Sequence, residues 1–198
     1  MTRALLVVDT QKSFLRRETW RASSNPDVAD DVAALVAHAR GRGDHVVWVL
    51  HTEPGTGNAF DPALGFVELM DGLTAEEGEP VLRKTVHSAF GGTDLQRLLN
   101  GWGVSELAVC GIRTEQCCET TTRAASDLGY DVTFVVDATA TEPIQAPGSP
   151  AGRPLEEILA DPRTLGTEEV VTRTVYALSG RFARIATVAE VVDVVDVD

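Results

Sequence analysis

The chain has 198 residues, with 17 Lys plus Arg against 30 Asp plus Glu, for a formal charge of −13 at pH 7. Adjacent basic residues occur only at Arg16-Arg17 and Arg83-Lys84, too little clustered positive charge for a surface that neutralises nucleic-acid phosphates. A content of 43% hydrophobic and 24% charged residues is that of a globular domain and excludes extensive disorder, and no apolar run approaches the ~20 residues of a membrane span.

In chain order, residues 4–8 read as an apolar strand ended by Asp9. Val28, Val32, Leu35, Val36 and Ala39 then repeat on one helical face, in a helix opened by Asn25-Pro26 and closed by Gly41 or Gly43. Residues 45–50 form a second buried strand, followed by His51. The stretch 52–66, with Pro54, Gly55, Gly57, Pro62 and Gly65, is a long loop of the kind that carries function in compact domains. A short extended piece over 80–85 contains Lys84. Thr93 caps a helix bearing Leu95, Leu98 and Leu99, and Gly101 and Gly103 end it.

Residues 106–110 are a strand and 111–113 a turn. Thr114 caps a helix reaching about residue 128, and residues 130–136 are another strand. The segment 141–165, with Pro143, Pro147, Pro150, Pro154 and Pro162, is read as a lid, an insertion or an oligomer contact. A helix over Thr167–Leu178, a strand over 183–187 and a short helix over 188–192 follow, with 193–198 as an acidic tail. Alternating strands and helices predict an α/β domain over residues 1–198, its parallel sheet covered on both faces. Ligands of such sheets bind beyond the carboxyl ends of the strands, where Asp9, His51 and residues 111–117 fall.

The apolar part of residues 1–9 is too short for a secretory signal, so the expected compartment is the cytoplasm. Cys110, Cys117 and Cys118 fit neither a disulfide framework nor a zinc module. Cys117 stands in the first turn of its helix, where backbone N–H groups and the dipole favour a thiolate. Cys118 points about 100° away around the helix, and Cys110 lies in an apolar strand. Asp9 is placed to act as a base toward a thiol. Lys84, one of two lysines in the chain, is placed to stabilise charge on both.

The segments Asp9-Thr10-Gln11-Lys12-Ser13-Phe14, Lys84 with Ser88-Ala89-Phe90 and Thr93-Asp94-Leu95, Cys110-Gly111-Ile112-Arg113-Thr114-Glu115-Gln116-Cys117, Gly129-Tyr130-Asp131-Val132 and Val136-Asp137-Ala138 resemble, in order and spacing, the isochorismatase-like cysteine hydrolases. The similarity extends to Leu178-Ser179-Gly180-Arg181-Phe182-Ala183. The resemblance implies a three-layer α/β/α, isochorismatase-like (Rossmann-like) fold with a mostly parallel six-stranded sheet. It also implies a catalytic triad in which Cys117 is the nucleophile, Asp9 the proton acceptor and later donor, and Lys84 their charge partner. The oxyanion would be held by the backbone N–H groups of Arg113 and Cys117 beside a non-proline cis Ile112-Arg113 bond. Phe14, Ile112 and His87 would contact substrate.

The implied chemistry is cleavage of an amide or lactam-type C–N bond of a small molecule through a thioester, with no cofactor and no metal. Relatives are dimers or larger, so a homo-oligomer is expected, with no nucleic-acid or membrane partner. Several residues depart from the family pattern. Ser13 replaces a common acid, and Val49 stands where nicotinamidases place an aspartate two residues before a metal-binding histidine. Zinc is thereby disfavoured, and His51 is left as a pocket residue. Arg113 is larger than usual; it narrows the pocket, meets an anionic substrate, or is a surface arginine. Two alternatives are a catalytically idle binding relative, and a dinucleotide-binding protein, which would need a glycine-rich fingerprint where Asp9-Thr10-Gln11 stands.

Overall fold

The computed structural model describes residues 2–193. Six strands, β1 (Thr2–Val8), β2 (His45–His51), β3 (Val81–Lys84), β4 (Val104–Ile112), β5 (Asp131–Ala140) and β6 (Arg184–Ala186), form one sheet in the order β3-β2-β1-β4-β5-β6. Every pairing is parallel. The fully apolar runs of β1 and β2 suit strands covered on both faces. Side chains alternate: Leu6, Val8, Val47, Val49 and Val109 enter one core layer, and Leu5, Val7, Val46, Trp48 and Cys110 the other.

The first layer is closed by Leu95 and Leu99 of α2 (Leu95–Gly101), Ala125 of α3 (Glu119–Asp127) and Leu178 of α5 (Thr167–Leu178). The second is closed by Val28, Val32, Leu35 and Val36 of α1 (Val28–Arg42), as their spacing predicts, with α6 (Val188–Val192) beside it. Gly43, at φ 76°, ends α1 in the left-handed conformation that favours glycine. The layers are therefore α/β/α.

Three differences from the sequence reading bear on the site. β4 runs on through Gly111 and Ile112, which pair with Thr139 and Ala140 of β5, so the expected turn at 111–113 is strand up to its last residue. β5 extends to Ala140 because the register shifts after Val109, where it faces Phe134, and β5 takes up extra residues before pairing resumes at Thr139. Such a bulge hides the strand's continuation from a period-two pattern. The segment 141–165 is partly built into the body: Thr141 and Glu142 are buried, Ile144 bridges Leu165, and α4 (Leu155–Ala160) buries Leu155 and Ile158. The tail expected over 193–198 lies outside the described residues beyond Asp193.

Strand order reverses between β1 and β4, which places the crevice of a doubly wound sheet at their carboxyl ends. Gly111 makes the close approach there possible. It faces Val8 in the β1–β4 register, has φ 118°, and a Cβ on it would lie 1.9 Å from the Val8 carbonyl oxygen. A Gly111→Ala variant is expected to lose about 3 kcal/mol of stability through clash and backbone strain, read as a lowered denaturant midpoint. An unchanged midpoint would show that the strands can part at this point without cost.

Candidate active site

Asp9 follows β1 and is the one non-glycine residue with positive φ (51°) among those described. Aspartate tolerates this region better than most residues. Its N–H donates to Val49 O at 2.8 Å, and its carboxylate is wholly buried. Lys84 ends β3 opposite His51 of β2. Its side chain, with no exposed surface, donates to Asp9 Oδ2 at 2.6 Å and to Cys117 Sγ at 3.2 Å. The three residues nominated from sequence thus meet at the reversal point, each carried by a different strand or the turn behind one.

Cys117 lies in a turn that differs from the one expected. Thr114–Cys118 is a π-helical turn leading into α3, a rare geometry associated with functional sites. Thr114 does not cap it: its hydroxyl donates to Thr139 Oγ1 at 2.9 Å, tying the turn to β5. The turn's N-cap is Arg113, whose carbonyl accepts from the N–H groups of Gln116 and Cys118. The Ile112-Arg113 peptide is cis. All three cysteines are free and buried.

The thiol's ionisation runs against the sequence expectation. Burial, helped by the neighbouring Asp9 carboxylate, pushes Cys117 up to about 12, and Lys84 offsets only part of this. Helix-end stabilisation is outweighed because the sulfur's residue is only 6% exposed. Burial also raises Asp9 above the ordinary carboxylate range despite Lys84. Lys84 remains cationic: burial works against its charge, but Asp9 and Cys117 outweigh it. The directions of these shifts favour a cationic Lys84 beside a protonated Cys117 thiol. Asp9 Oδ1 has no hydrogen-bond partner of standard geometry, and a favourable interaction with the thiol is a further influence on Asp9.

The surrounding residues divide into walls and struts. Phe14 packs edge-on to Phe60 at 5.0 Å, and Phe60 edge-on to His51 at 5.7 Å, which forms an aromatic wall. Ile112 is wholly buried in the same core layer as Phe14 and Phe60, so it backs that wall with no exposed surface of its own. His87 is exposed, with Nδ1 at 3.8 Å from Cys117 Sγ. Gln11, wholly buried, brackets the His51 backbone: its Nε2 donates to His51 O at 3.1 Å and its Oε1 accepts from His51 N at 2.8 Å. Ser13, where an acid was expected, accepts from Gln11 Nε2 at 2.8 Å and donates to Phe66 O at 3.0 Å.

Arg113 is not a free surface arginine. Its guanidinium is committed to the fully buried Glu142 at 3.1 Å and to Glu115 at 3.6 Å. Glu142 also takes Arg17 at 2.9 Å and Thr19 at 2.6 Å, so one carboxylate ties the 3-10 segment after β1 to the turn before Cys117. No sequence pattern marks Glu142, since its partners are distant in the chain.

Among the described residues, no cluster of three or more His, Cys, Asp or Glu side chains is arranged to hold a metal, and no helix is long and apolar enough to cross a membrane. A cavity of about 960 Å³ opens at the amino-terminal ends of the strands, lined by Arg3, His38, Arg42, Glu106 and Arg184 among others. It lies at the opposite end of the sheet from the thiol, and Arg3 is paired there to Glu106 and Arg42 to Asp44.

The fold and this buried Cys–Lys–Asp constellation define a class of α/β proteins with a thiol at the strand-order reversal. Residues 3–146 match the model of the isochorismatase domain, and the chain belongs to the isochorismatase family of hydrolases. It is 35% identical over 146 residues to the uncharacterised isochorismatase family protein YddQ of Bacillus subtilis, covering 73% of this chain and 81% of YddQ. It is 40% identical over 148 residues to a streptothricin hydrolase of Streptomyces noursei, covering 72% of this chain and 51% of that protein. The crystal structure of an isochorismatase from Pseudomonas putida KT2440 superposes with a TM-score of 0.80 at 28% identity, covering 94% of this chain and 88% of that one.

Proposed function

We propose that the protein is a cysteine-dependent hydrolase that opens an amide or lactam-type C–N bond of a small molecule. The observation that carries this reading is the buried Lys84 ammonium shared between Asp9 Oδ2 and Cys117 Sγ. A structural ion pair would not require a thiol as its third member. The similarity to a streptothricin hydrolase supports the same type of reaction without fixing the substrate.

In this reading Cys117 Sγ attacks the carbonyl carbon as its proton passes to Asp9, since burial disfavours a thiolate formed beforehand. The carbonyl oxygen becomes an oxyanion received by the N–H groups of Arg113 and Cys117. Collapse breaks the C–N bond, and the nitrogen leaves as ammonia or an amine carrying the proton from Asp9. Asp9 then takes a proton from water as the water attacks the thioester; the C–S bond breaks and the thiolate recovers that proton. Lys84 balances whichever of the two groups is anionic. Every step is polar, so no electrons are exchanged with a cofactor. Phe14, with Ile112 behind it, and His87 bound the space above the sulfur, and the segment 141–165 supplies a contact between subunits of a homo-oligomer.

The test is a screen of primary amides, substituted amides and lactams for ammonia or amine release, with rapid acid quench and intact-mass analysis for an acyl adduct on Cys117. An adduct that accumulates with wild type and is absent from Cys117→Ala supports the reading. Amide turnover that persists in Cys117→Ala would overturn it. A second expected result concerns pH: because Asp9 must be ionised and burial raises its pKa, kcat/KM should fall on the acid side at a pH above the ordinary carboxylate value of about 4. A profile flat down to pH 4 would remove Asp9 as the base.

A further inference from the structure

Lys84 Nζ, on a side chain with no exposed surface, has three N–H bonds to place. Asp9 Oδ2 takes one at 2.6 Å and Cys117 Sγ another at 3.2 Å; the remaining neighbour is His51 Nδ1 at 3.5 Å. A cationic ammonium has no lone pair, so His51 Nδ1 can face it only as an acceptor. The imidazole proton then belongs on Nε2, and Nε2 stands 3.3 Å from Glu53 Oε1. The other oxygen of Glu53 takes Asn58 Nδ2 at 2.6 Å, which fixes the carboxylate in the loop after β2. The residue is held by the Gln11 bracket on its backbone, and its ring by Phe60 on one side and Glu53 at its far nitrogen.

We propose that His51 and Glu53 act as a positioning pair: neutral His51, held in one tautomer by Glu53, fills the last N–H of Lys84 and aims its charge at Cys117. This goes beyond the triad and rests on the hydrolase reading for its catalytic consequence alone. Burial and the Lys84 charge both lower the His51 pKa, with Asp9 and Glu53 opposing, which agrees with a neutral ring facing an ammonium. The pair stands outside the reacting atoms, so its effect passes through Lys84. Sequence reading left His51 as a pocket residue and gave Glu53 no role, because only the fold brings Lys84 beside them.

Two substitutions separate the acceptor from the ring. His51→Phe keeps an aromatic edge for Phe60 and removes the acceptor; His51→Asn removes the ring and returns an oxygen close to the Nδ1 position. The readout is the alkylation rate of Cys117 by iodoacetamide, followed by mass spectrometry from pH 6 to 10, which needs no substrate. With one buried N–H unsatisfied, Lys84 holds its charge less well and stabilises the forming thiolate less. His51→Phe is therefore expected to alkylate about tenfold more slowly than wild type, and His51→Asn to recover to within about threefold.

With any amide that the enzyme turns over, kcat should follow the same order while KM stays nearly constant. Nitrogen-15 NMR of labelled wild type should show His51 as the neutral Nε2–H tautomer at pH 7, and Glu53→Gln should erode that preference. Equal alkylation in the two His51 variants, or an Nδ1–H or charged ring in wild type, would overturn the proposal. The NMR result stands even if His51→Phe does not fold. Failure of the hydrolase reading would show instead as an absent acyl adduct with the tautomer and alkylation order intact.

Discussion

Replacing Asp9 by asparagine is expected to make Cys117 more reactive toward iodoacetamide while removing hydrolysis. The opposite signs follow from the site's charges. After burial, the Asp9 carboxylate is the largest influence holding the thiol proton in place, and Lys84 pulls the other way. Without the carboxylate the cation acts on the sulfur unopposed, and each unit by which the thiol pKa falls gives about tenfold more thiolate at neutral pH. Hydrolysis should nonetheless drop about 10²–10⁴-fold, the usual worth of a positioned proton acceptor. An Asp9→Asn protein whose thiol alkylates more slowly than wild type would show that Asp9 activates Cys117 by some route other than accepting its proton.

Lys84→Met should be among the most destabilising single changes in the molecule. It leaves the Asp9 carboxylate buried with neither its ammonium nor water, and breaking a buried pair from one side costs about 3–5 kcal/mol. Adding Asp9→Asn should recover most of that loss, because a neutral amide and a thioether need no counter-charge. The pH dependence has a fixed sign. Asp9 has a folded pKa already raised above its unfolded value, and removing Lys84 raises it further. The folded state is then favoured while Asp9 is protonated and loses that advantage as pH rises through the folded pKa. Urea melts of Lys84→Met should show a larger deficit at pH 8 than at pH 5. A deficit independent of pH, or a double variant no better than the single, would mean that Lys84 stabilises through its packed stem and not its charge.

Much of this constellation was legible in the order of residues, because its three groups end strands or open a turn. Asp9 follows an apolar run that can only be buried, Lys84 closes a short extended piece, and Cys117 follows the turn after β4. A doubly wound sheet gathers such positions at one crevice, and a parallel sheet covered on both faces followed from the alternation of strands and helices. What escaped the reading lies in three-dimensional context. The sequence places Cys117 in a helical first turn, which argues for a more acidic thiol; burial beside a carboxylate reverses the sign. Thr114 has the composition of a cap, yet Thr139, brought near by the shifted β5 register, is its partner. Arg113 was left among three readings because its partner, Glu142, comes from the proline-rich segment read as a lid, an insertion or an oligomer contact.

The depth of the three cysteines changes what the native state means for this chain's chemistry outside catalysis. Cys110, Cys117 and Cys118 are all buried, and burial raises every one of their thiols. An unfolded chain would expose the same thiols at the ordinary pKa of about 8.5, with more thiolate at neutral pH than Cys117 holds in its folded setting. The folded protein is therefore the oxidation-resistant form, and each transient opening is the vulnerable one. Oxidant sensitivity would follow the fraction of time spent open, so a change that weakens the sheet far from the crevice would age the enzyme chemically as well as mechanically.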